Sequence, residues 1–472
     1  MSLAEAHRQP VPQDNVPSAV SRNPATGEVF ARYPFQTADE IEATLATTHA
    51  AFLQWRATPV GDRARVLAKL ADILETEVDE FAAIITSEMG KTLREAKAEV
   101  LKCAKMAAYY AANGPKMIED ERAPVDEAEA YVSYLPTGTI LGIMPWNFPL
   151  WQALRAGVPI VLGGNGFLLK HAPNCMGLAH KLGAAWTRAG APKALFGILN
   201  VDNDPIPGII NDPRISGVTL TGSPRAGAAV AALAGKALKK SVLELGGSDP
   251  FIVLADADLD KAVAAAAASR FATSGQVCIA AKRMIVEAPV ADAFTQKFVE
   301  AARKAKTGDP SDPETTFGPL AREDLRDELH EKVERSVKQG AKVLLGGKPA
   351  PGDGWFYEPT VLAGVEHGMA AFDEETFGPV AAIVVARDTE HAIELANDSE
   401  YGLSSALWTN DVGKAKEIAR RLETGAVFIN GFTASDPRVP IGGVKKSGYG
   451  RELSHFGIKE FLNAQTVWVK KV

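Results

Sequence analysis

A chain of 472 residues is too long to close around one hydrophobic core, so two or three domains are expected. A hydrophobic share of 46% and a charged share of 23% are those of an ordinary globular protein and exclude a largely disordered or fibrous chain. The formal net charge of -7 lacks the basic balance of a nucleic-acid binder and leaves room only for a local positive pocket.

The first twenty or so residues are polar and contain proline. They show neither the apolar segment of a secretory leader nor the Arg-rich, acid-poor composition of a mitochondrial one. After a short β segment, Thr37-Ala-Asp-Glu40 forms a capping-box pattern, followed by Ile41, Leu45, Phe52 and Trp55 at near-helical spacing. A second helix is expected from about Gly61 to Glu88 and a third from about Thr92 to Asn113. The third carries Cys103 at an apolar position, where a packed core thiol is the plain reading. Residues 119–130 are acidic and polar and break the composition.

From Tyr131 onward, strands alternate with helices. Strands are expected at Ile140–Met144, Gly166–Lys170, Gly197–Asn200, Gly217–Leu220 and Ser241–Glu244, with helices near 150–162, 175–190, 204–211 and 224–236. Repeated β-α units of this length predict a parallel, doubly wound sheet, which binds ligands beyond the carboxyl ends of its strands. A second α/β block follows, from about Pro250 to Pro437, with strands near Phe251–Leu254, Arg283–Glu287, Ala341–Leu345, Ala381–Val385, Ser405–Thr409 and Ala426–Ile429. Its clearest helices are Ala257–Ser269 and Asp292–Lys306. Ala464–Lys470 reads as an edge strand able to pair with another subunit. No apolar run approaches the length of a membrane span.

Three cysteines, Cys103, Cys175 and Cys278, form no disulfide framework, and no CxxC or Cys/His cluster marks a metal site. A reducing, cytoplasmic setting follows, with no metal, no membrane and no nucleic-acid partner expected. Cys278, in Ser274-Gly-Gln-Val-Cys278, sits on a glycine-supplied turn between a helix and a strand, where nearby backbone N–H groups favour thiolate. Read alone, a single cysteine there is either a nucleophile or a structural thiol, and Cys175 behind Pro173-Asn174 reads as structural.

Glu244 ends a buried strand before two glycines, where burial raises a carboxyl into the range of a general base; a partner lysine or arginine is the competing reading. Asn147, in Met144-Pro-Trp-Asn-Phe-Pro149, is either a fixed oxyanion donor or an Asx turn. Lys170 ends a strand, and Thr221-Gly-Ser-Pro-Arg-Ala-Gly227 joins a strand to a helix whose N-terminus suits a phosphate. The GxGxxG fingerprint is absent, so an ordinary dinucleotide-binding motif is not what marks this site.

Taken in chain order, Asn23-Pro-Ala-Thr-Gly27, Met144-Pro-Trp-Asn-Phe-Pro149, Lys170, Thr221-Gly-Ser223, Glu244-Leu-Gly-Gly247, Gly275-Gln-Val-Cys278, Glu375-Thr-Phe-Gly-Pro379 and Pro440-Ile-Gly-Gly-Val-Lys-Lys-Ser-Gly448 resemble the motifs of the aldehyde dehydrogenase superfamily. The resemblance covers nearly the whole chain. It implies an α/β fold of two doubly wound Rossmann-like domains plus a small β oligomerisation extension. The expected division is 1–118 and 137–246 for the cofactor, 247–440 for catalysis, and 119–136 with 458–472 for a homodimer or homotetramer contact.

By the same resemblance, Cys278 attacks an aldehyde, Asn147 and the Cys278 backbone N–H hold the oxyanion, and Glu244 activates water against the thioester. Lys170 completes that catalytic set. NAD or NADP would lie along Pro145, Trp146, Lys170, Gly222, Ser223, Leu245, Glu375 and Phe377. Members that prefer NAD often carry a glutamate three residues after the strand-end lysine; here Pro173 stands there, which leaves NADP acceptable.

Leu169-Lys-His-Ala-Pro173 and Val444-Lys-Lys-Ser-Gly448 are most similar to bacterial NAD(P)-accepting succinate-semialdehyde dehydrogenases. That likeness implies Arg155, Trp151 and Arg438 around the substrate, with Arg155 on its carboxylate. An arginine that some members carry six residues before the nucleophile is Ala272 here, for which Arg438 or Arg283 would compensate. Glutarate semialdehyde or a medium-chain aliphatic aldehyde is the alternative substrate. Ala280 excludes a local disulfide with Cys278. A thiol hydrolase would need a histidine partner that no motif supplies, and a non-catalytic protein would have no use for both Cys278 and Glu244.

Overall fold

The computed structural model describes residues 16–126 and 128–470, so the reading of the extreme N-terminus, and Glu127, Lys471 and Val472 of the expected β extension, lie outside it. Among the described residues a two-stranded sheet, Ser18–Arg22 with Val29–Pro34, comes first, and the first of the two large sheets has six strands. Their order is Gly448–Tyr449, Lys240–Glu244, Ile215–Thr221, Thr139–Met144, Gly166–His171 and Phe196–Ile198. All pairs are parallel except the short Gly448–Tyr449 edge. Counted in chain order, the parallel strands lie 5-4-1-2-3, which is doubly wound. The order reverses between Thr139–Met144 and Ile215–Thr221, and a ligand crevice is expected beyond their carboxyl ends.

These strands are apolar on both faces because helices cover both. Ile140, Phe167 and Leu169 join a core with the helices Val60–Thr76, Leu93–Met117, Pro149–Leu162 and Met176–Ala189. Leu141, Leu168 and Val218 face the other way, toward Leu45, Ile206 and Val230. Alternation along each strand thus feeds two cores.

The short segment Leu245–Asp249 carries the chain into a seven-stranded sheet. Its order is Lys342–Leu345, Thr360–Ala363, Val380–Ala386, Arg283–Glu287, Pro250–Val253, Ser405–Trp408 and Val427–Ile429. Only Lys342–Leu345 is antiparallel to its neighbour. The carboxyl ends of the first sheet therefore meet the amino ends of the second, where the Cys278 loop lies. A third, antiparallel sheet joins Leu462–Lys470, Ala128–Pro136 and Glu121–Ala123.

Three elements depart from expectation. The helix expected from Gly61 to Glu88 is two, Val60–Thr76 and Val78–Met89, broken at Glu77 with φ -102° and ψ 24°. The Glu77 carboxylate accepts bonds from Lys181 and Arg188 at 2.9 and 2.5 Å, which pins the break. The following helix runs on to Met117 rather than Asn113. Gly448–Tyr449, where no strand was expected, returns to the first sheet beside Leu243 and Glu244.

Candidate active site

Cys278 sits on a loop that its own sequence makes unusual. Thr273, Ser274 and Gly275 take φ values of 50°, 54° and 76°, three left-handed residues in a row. For non-glycine residues this conformation costs about 1–3 kcal/mol each and needs support from outside. Here the Thr273 N–H donates to Glu95 Oε1 at 2.8 Å and Ser274 Oγ donates to the Gly318 carbonyl at 2.7 Å. The buried Arg270 guanidinium donates to the carbonyls of Gly275 and Gly378 at 2.6 and 2.7 Å. Gly275 has no substitute, since a Cβ there would lie 2.3 Å from the Gly378 oxygen. The result aims Cys278 into a crevice while keeping it mostly covered. Burial pushes its thiol up to about 11, opposed by the positive charges of Arg155 and Lys282.

Asn147 follows the carboxyl end of Thr139–Met144 and is buried. One N–H of its amide donates to the Gln276 carbonyl at 2.9 Å, two residues before Cys278. Gln276 is itself fixed, donating to Thr273 O at 3.1 Å and accepting from the Ala321 N–H at 2.9 Å. The buried Glu99 carboxylate accepts the first helix N–H groups, Leu150 and Trp151, both at 2.9 Å, and pairs with Lys91. Lys91 also lies 3.6 Å from the Phe148 ring centre. The turn bearing Asn147 is therefore held from both sides, and its second amide N–H is free of that carbonyl bond.

Glu244 ends Lys240–Glu244 with its side chain buried and Oε1 without a hydrogen-bond partner. Burial pushes its carboxyl up to about 8, against the pull of Arg155. A Cβ on Gly442 would lie 2.8 Å from that oxygen, so glycine there leaves the carboxyl its space.

A cavity of about 500 Å³ opens at the switch point. Pro145, Trp146, Asn147, Gly222, Ser223, Leu245, Cys278, Glu375 and Phe377 all line it, so nine of the site residues named from sequence converge there. The Trp146 and Phe377 rings meet edge to face at 5.7 Å. Ser223 caps the helix Pro224–Lys236, its Oγ accepting from the Ala226 N–H at 3.3 Å. Glu375 reaches over Gly246, where a Cβ would come within 2.4 Å of Oε2, and accepts the Gly247 N–H at 3.1 Å. A helix N-terminus, a carboxylate and aromatic rings along one crevice suit the phosphates, ribose and nicotinamide of a dinucleotide.

The other expected site residues are placed differently. Lys170 is buried at the end of the neighbouring strand and does not line this cavity. Arg155 does not line it either: its buried guanidinium is ion-paired with Glu452, and Nη2 donates to Thr221 Oγ1 at 3.3 Å. The guanidinium is thus engaged within the protein, and its charge acts on Glu244. Trp151 is packed in the core with the Lys102 ammonium 4.0 Å from its ring centre. Arg438 is largely exposed and paired with Asp436 at 2.6 Å. Arg283 cannot compensate for Ala272, because its buried guanidinium donates to the carbonyls of Ser248, Leu395 and Ala396.

Sequence reasoning missed Glu99, Arg270, Gln276, Lys282 and Glu452. Gln276 and Lys282 flank Cys278 and were legible as neighbours of the motif; Glu99 and Glu452 meet the site only through the fold. It also missed Lys102, whose ammonium donates to Ser435 Oγ at 2.6 Å and has no carboxylate within ion-pair distance among the described residues.

The model of the aldehyde dehydrogenase family matches residues 11–467. The chain is 56% identical over 454 residues to a succinate semialdehyde dehydrogenase [NAD(P)+] of Escherichia coli (strain K12), covering 96% of this chain and 98% of that one. It is 49% identical to a succinate-semialdehyde dehydrogenase [NADP(+)] of Mycolicibacterium paratuberculosis, covering 95% and 96%. Among solved structures, succinic semialdehyde dehydrogenase from Streptococcus pyogenes in complex with NADP+ superposes with a TM-score of 0.94 at 37% identity, covering 96% of this chain and all of that one (100%).

Proposed function

The chain belongs to the aldehyde dehydrogenase family, and we propose that it oxidises succinate semialdehyde to succinate with reduction of NAD or NADP. The observation that carries the reading is the convergence of Cys278 and Asn147 on one cavity whose walls also carry Ser223 and Glu375.

The chemistry follows from the side chains. An aldehyde gives up hydride readily only once a nucleophile has made it a tetrahedral alkoxide. Cys278 Sγ forms that bond to the aldehyde carbon, and the free N–H of Asn147 donates to the developing oxyanion. A bound nicotinamide would supply the hydride acceptor, and loss of hydride from the adduct leaves a thioester on Cys278. Glu244 then takes a proton from water, whose oxygen attacks the thioester carbon and releases the thiol and the carboxylic acid product. Ser223, Glu375 and Lys170 are the residues we assign to holding the cofactor. Comparing NADH and NADPH formation from succinate semialdehyde with that from an uncharged aldehyde tests the reading.

For the substrate carboxylate we assign Lys102 in place of Arg155. Its ammonium lies beside Trp151 and the Ser435 loop that leads to Arg438, and no carboxylate lies within ion-pair distance of it among the described residues, though Glu99 and Asp436 act on it from further away. Burial pulls it down to about 8, so it is mostly charged at neutral pH.

We divide the chain as the resemblance suggests, with 1–118 and 137–246 for the cofactor, 247–440 for catalysis, and 119–136 with 458–472 for self-association. Leu462–Lys470 is the outer strand of the third sheet, and Trp468 and Val469 on it are 58% and 49% exposed. An open strand edge with exposed apolar residues suits pairing with a second copy in a homodimer or homotetramer. Three unpaired thiols suit a reducing compartment such as the cytoplasm.

A further inference from the structure

Lys282 is a buried lysine four residues beyond Cys278, 1% exposed. An ammonium has three hydrogens, and three acceptors surround this one. They are the carbonyls of Val277 and Cys278, at 3.0 and 2.5 Å, and Glu375 Oε1 at 3.2 Å. Burying a lone cation is costly, so this set is a built feature rather than a chance contact. Its three acceptors belong to two different parts of the site: the backbone of the nucleophile itself, and a carboxylate lining the cavity.

We propose that Lys282 is the positioning residue of the nucleophile, clamping the Val277 and Cys278 carbonyls to the Glu375 carboxylate, so that the reactivity of Cys278 depends on the charge of a cavity-wall carboxylate even without cofactor. The inference rests on Cys278 being the nucleophile. Arg155 and Lys282 favour thiolate, while Glu375 and Asp249 oppose it. Removing Lys282 deletes a favouring charge and releases the loop carbonyls. Removing the charge of Glu375 deletes an opposing one and leaves Lys282 in place. The two changes therefore move thiol reactivity in opposite directions, which general loosening of the loop would not do.

The experiment is the pH dependence of iodoacetamide alkylation of the full-length enzyme without cofactor, with C278A as the blank. K282Q is expected to shift the profile to higher pH and slow alkylation at neutral pH by about a factor of ten, and E375Q to shift it to lower pH. Because E375Q tests the same clamp, the inference stays exposed if K282Q fails to fold. Wild-type profiles in the variants that fold, or E375Q shifting upward, would overturn it. Aldehyde turnover persisting in C278A would instead overturn the nucleophile assignment beneath it.

Discussion

The guanidinium of Arg155 is ion-paired with the carboxylate of Glu452, both side chains buried, and the pair lies within electrostatic reach of Glu244. Thr219 Oγ1 donates to the other Glu452 oxygen at 3.2 Å, and Arg155 Nη2 donates to Thr221. The pair thus ties two residues of Ile215–Thr221 to the segment that follows Gly448–Tyr449.

Arg155→Ala leaves Glu452 buried without its cation. Breaking such a pair is expected to cost roughly 3–5 kcal/mol of stability. Urea unfolding of the variant measures this. The fall in kcat/KM is expected to be similar for succinate semialdehyde and butanal, because the guanidinium is already paired with Glu452. Unchanged stability with a loss confined to succinate semialdehyde would return Arg155 to the substrate.

Lys102→Gln is expected to lower kcat/KM for succinate semialdehyde by about tenfold, the worth of one modest charge contact, and to leave butanal nearly unchanged. The lysine loses its charge as pH rises through about 8, so KM for succinate semialdehyde is expected to climb over that range while KM for butanal does not. Parallel profiles for the two aldehydes would overturn the assignment of Lys102 to the substrate carboxylate.

Glu244 is held protonated to about pH 8 by burial, well above the ordinary 4.5. Thioester hydrolysis needs the ionised form, so its single-turnover rate is expected to rise with pH and level off above about 8. In Glu244→Gln, a burst of NADH or NADPH followed by stalled turnover is expected. The same raised value bears on stability. Between about 4.5 and 8 the folded state binds the proton and the unfolded state does not, so this carboxyl's contribution falls as pH rises across that window. The variant's unfolding free energy is expected to lose that slope, and equal slopes in both proteins would contradict the assignment.

Asn147→Ala removes the amide donor and its bond to the Gln276 carbonyl. Loss of one oxyanion donor typically costs about 10²–10³ in kcat. Pre-steady-state kinetics are expected to show the loss before hydride transfer, with the burst itself slowed. A normal burst with slow steady state would place Asn147 in hydrolysis instead.

Much of the crevice was legible because glycines, prolines and strand ends leave marks in sequence. Thr221-Gly-Ser223 and Met144–Asn147 lie at the carboxyl ends of two strands adjacent across the switch point, and periodicity alone gave those strands to within a few residues. The ion pair of Arg155 was not legible for a physical reason. Its helix position was clear, but Glu452 reaches it only because Gly448–Tyr449 folds back against Lys240–Glu244. The break at Glu77 was hidden likewise, since both halves of the helix keep apolar spacing and the cations that fix it, Lys181 and Arg188, lie on Met176–Ala189. Left-handed Thr273 and Ser274 carry no sequence mark, because Glu95 and Gly318, which support them, lie far away in the chain.

The most direct test is kcat/KM for NADH or NADPH formation with succinate semialdehyde, glutarate semialdehyde, butanal and glyceraldehyde 3-phosphate. A strong preference for succinate semialdehyde, abolished in Cys278→Ala, is the result expected. Equal or faster turnover of butanal would contradict the assignment to a carboxylated aldehyde, while leaving the chain an aldehyde dehydrogenase of another specificity.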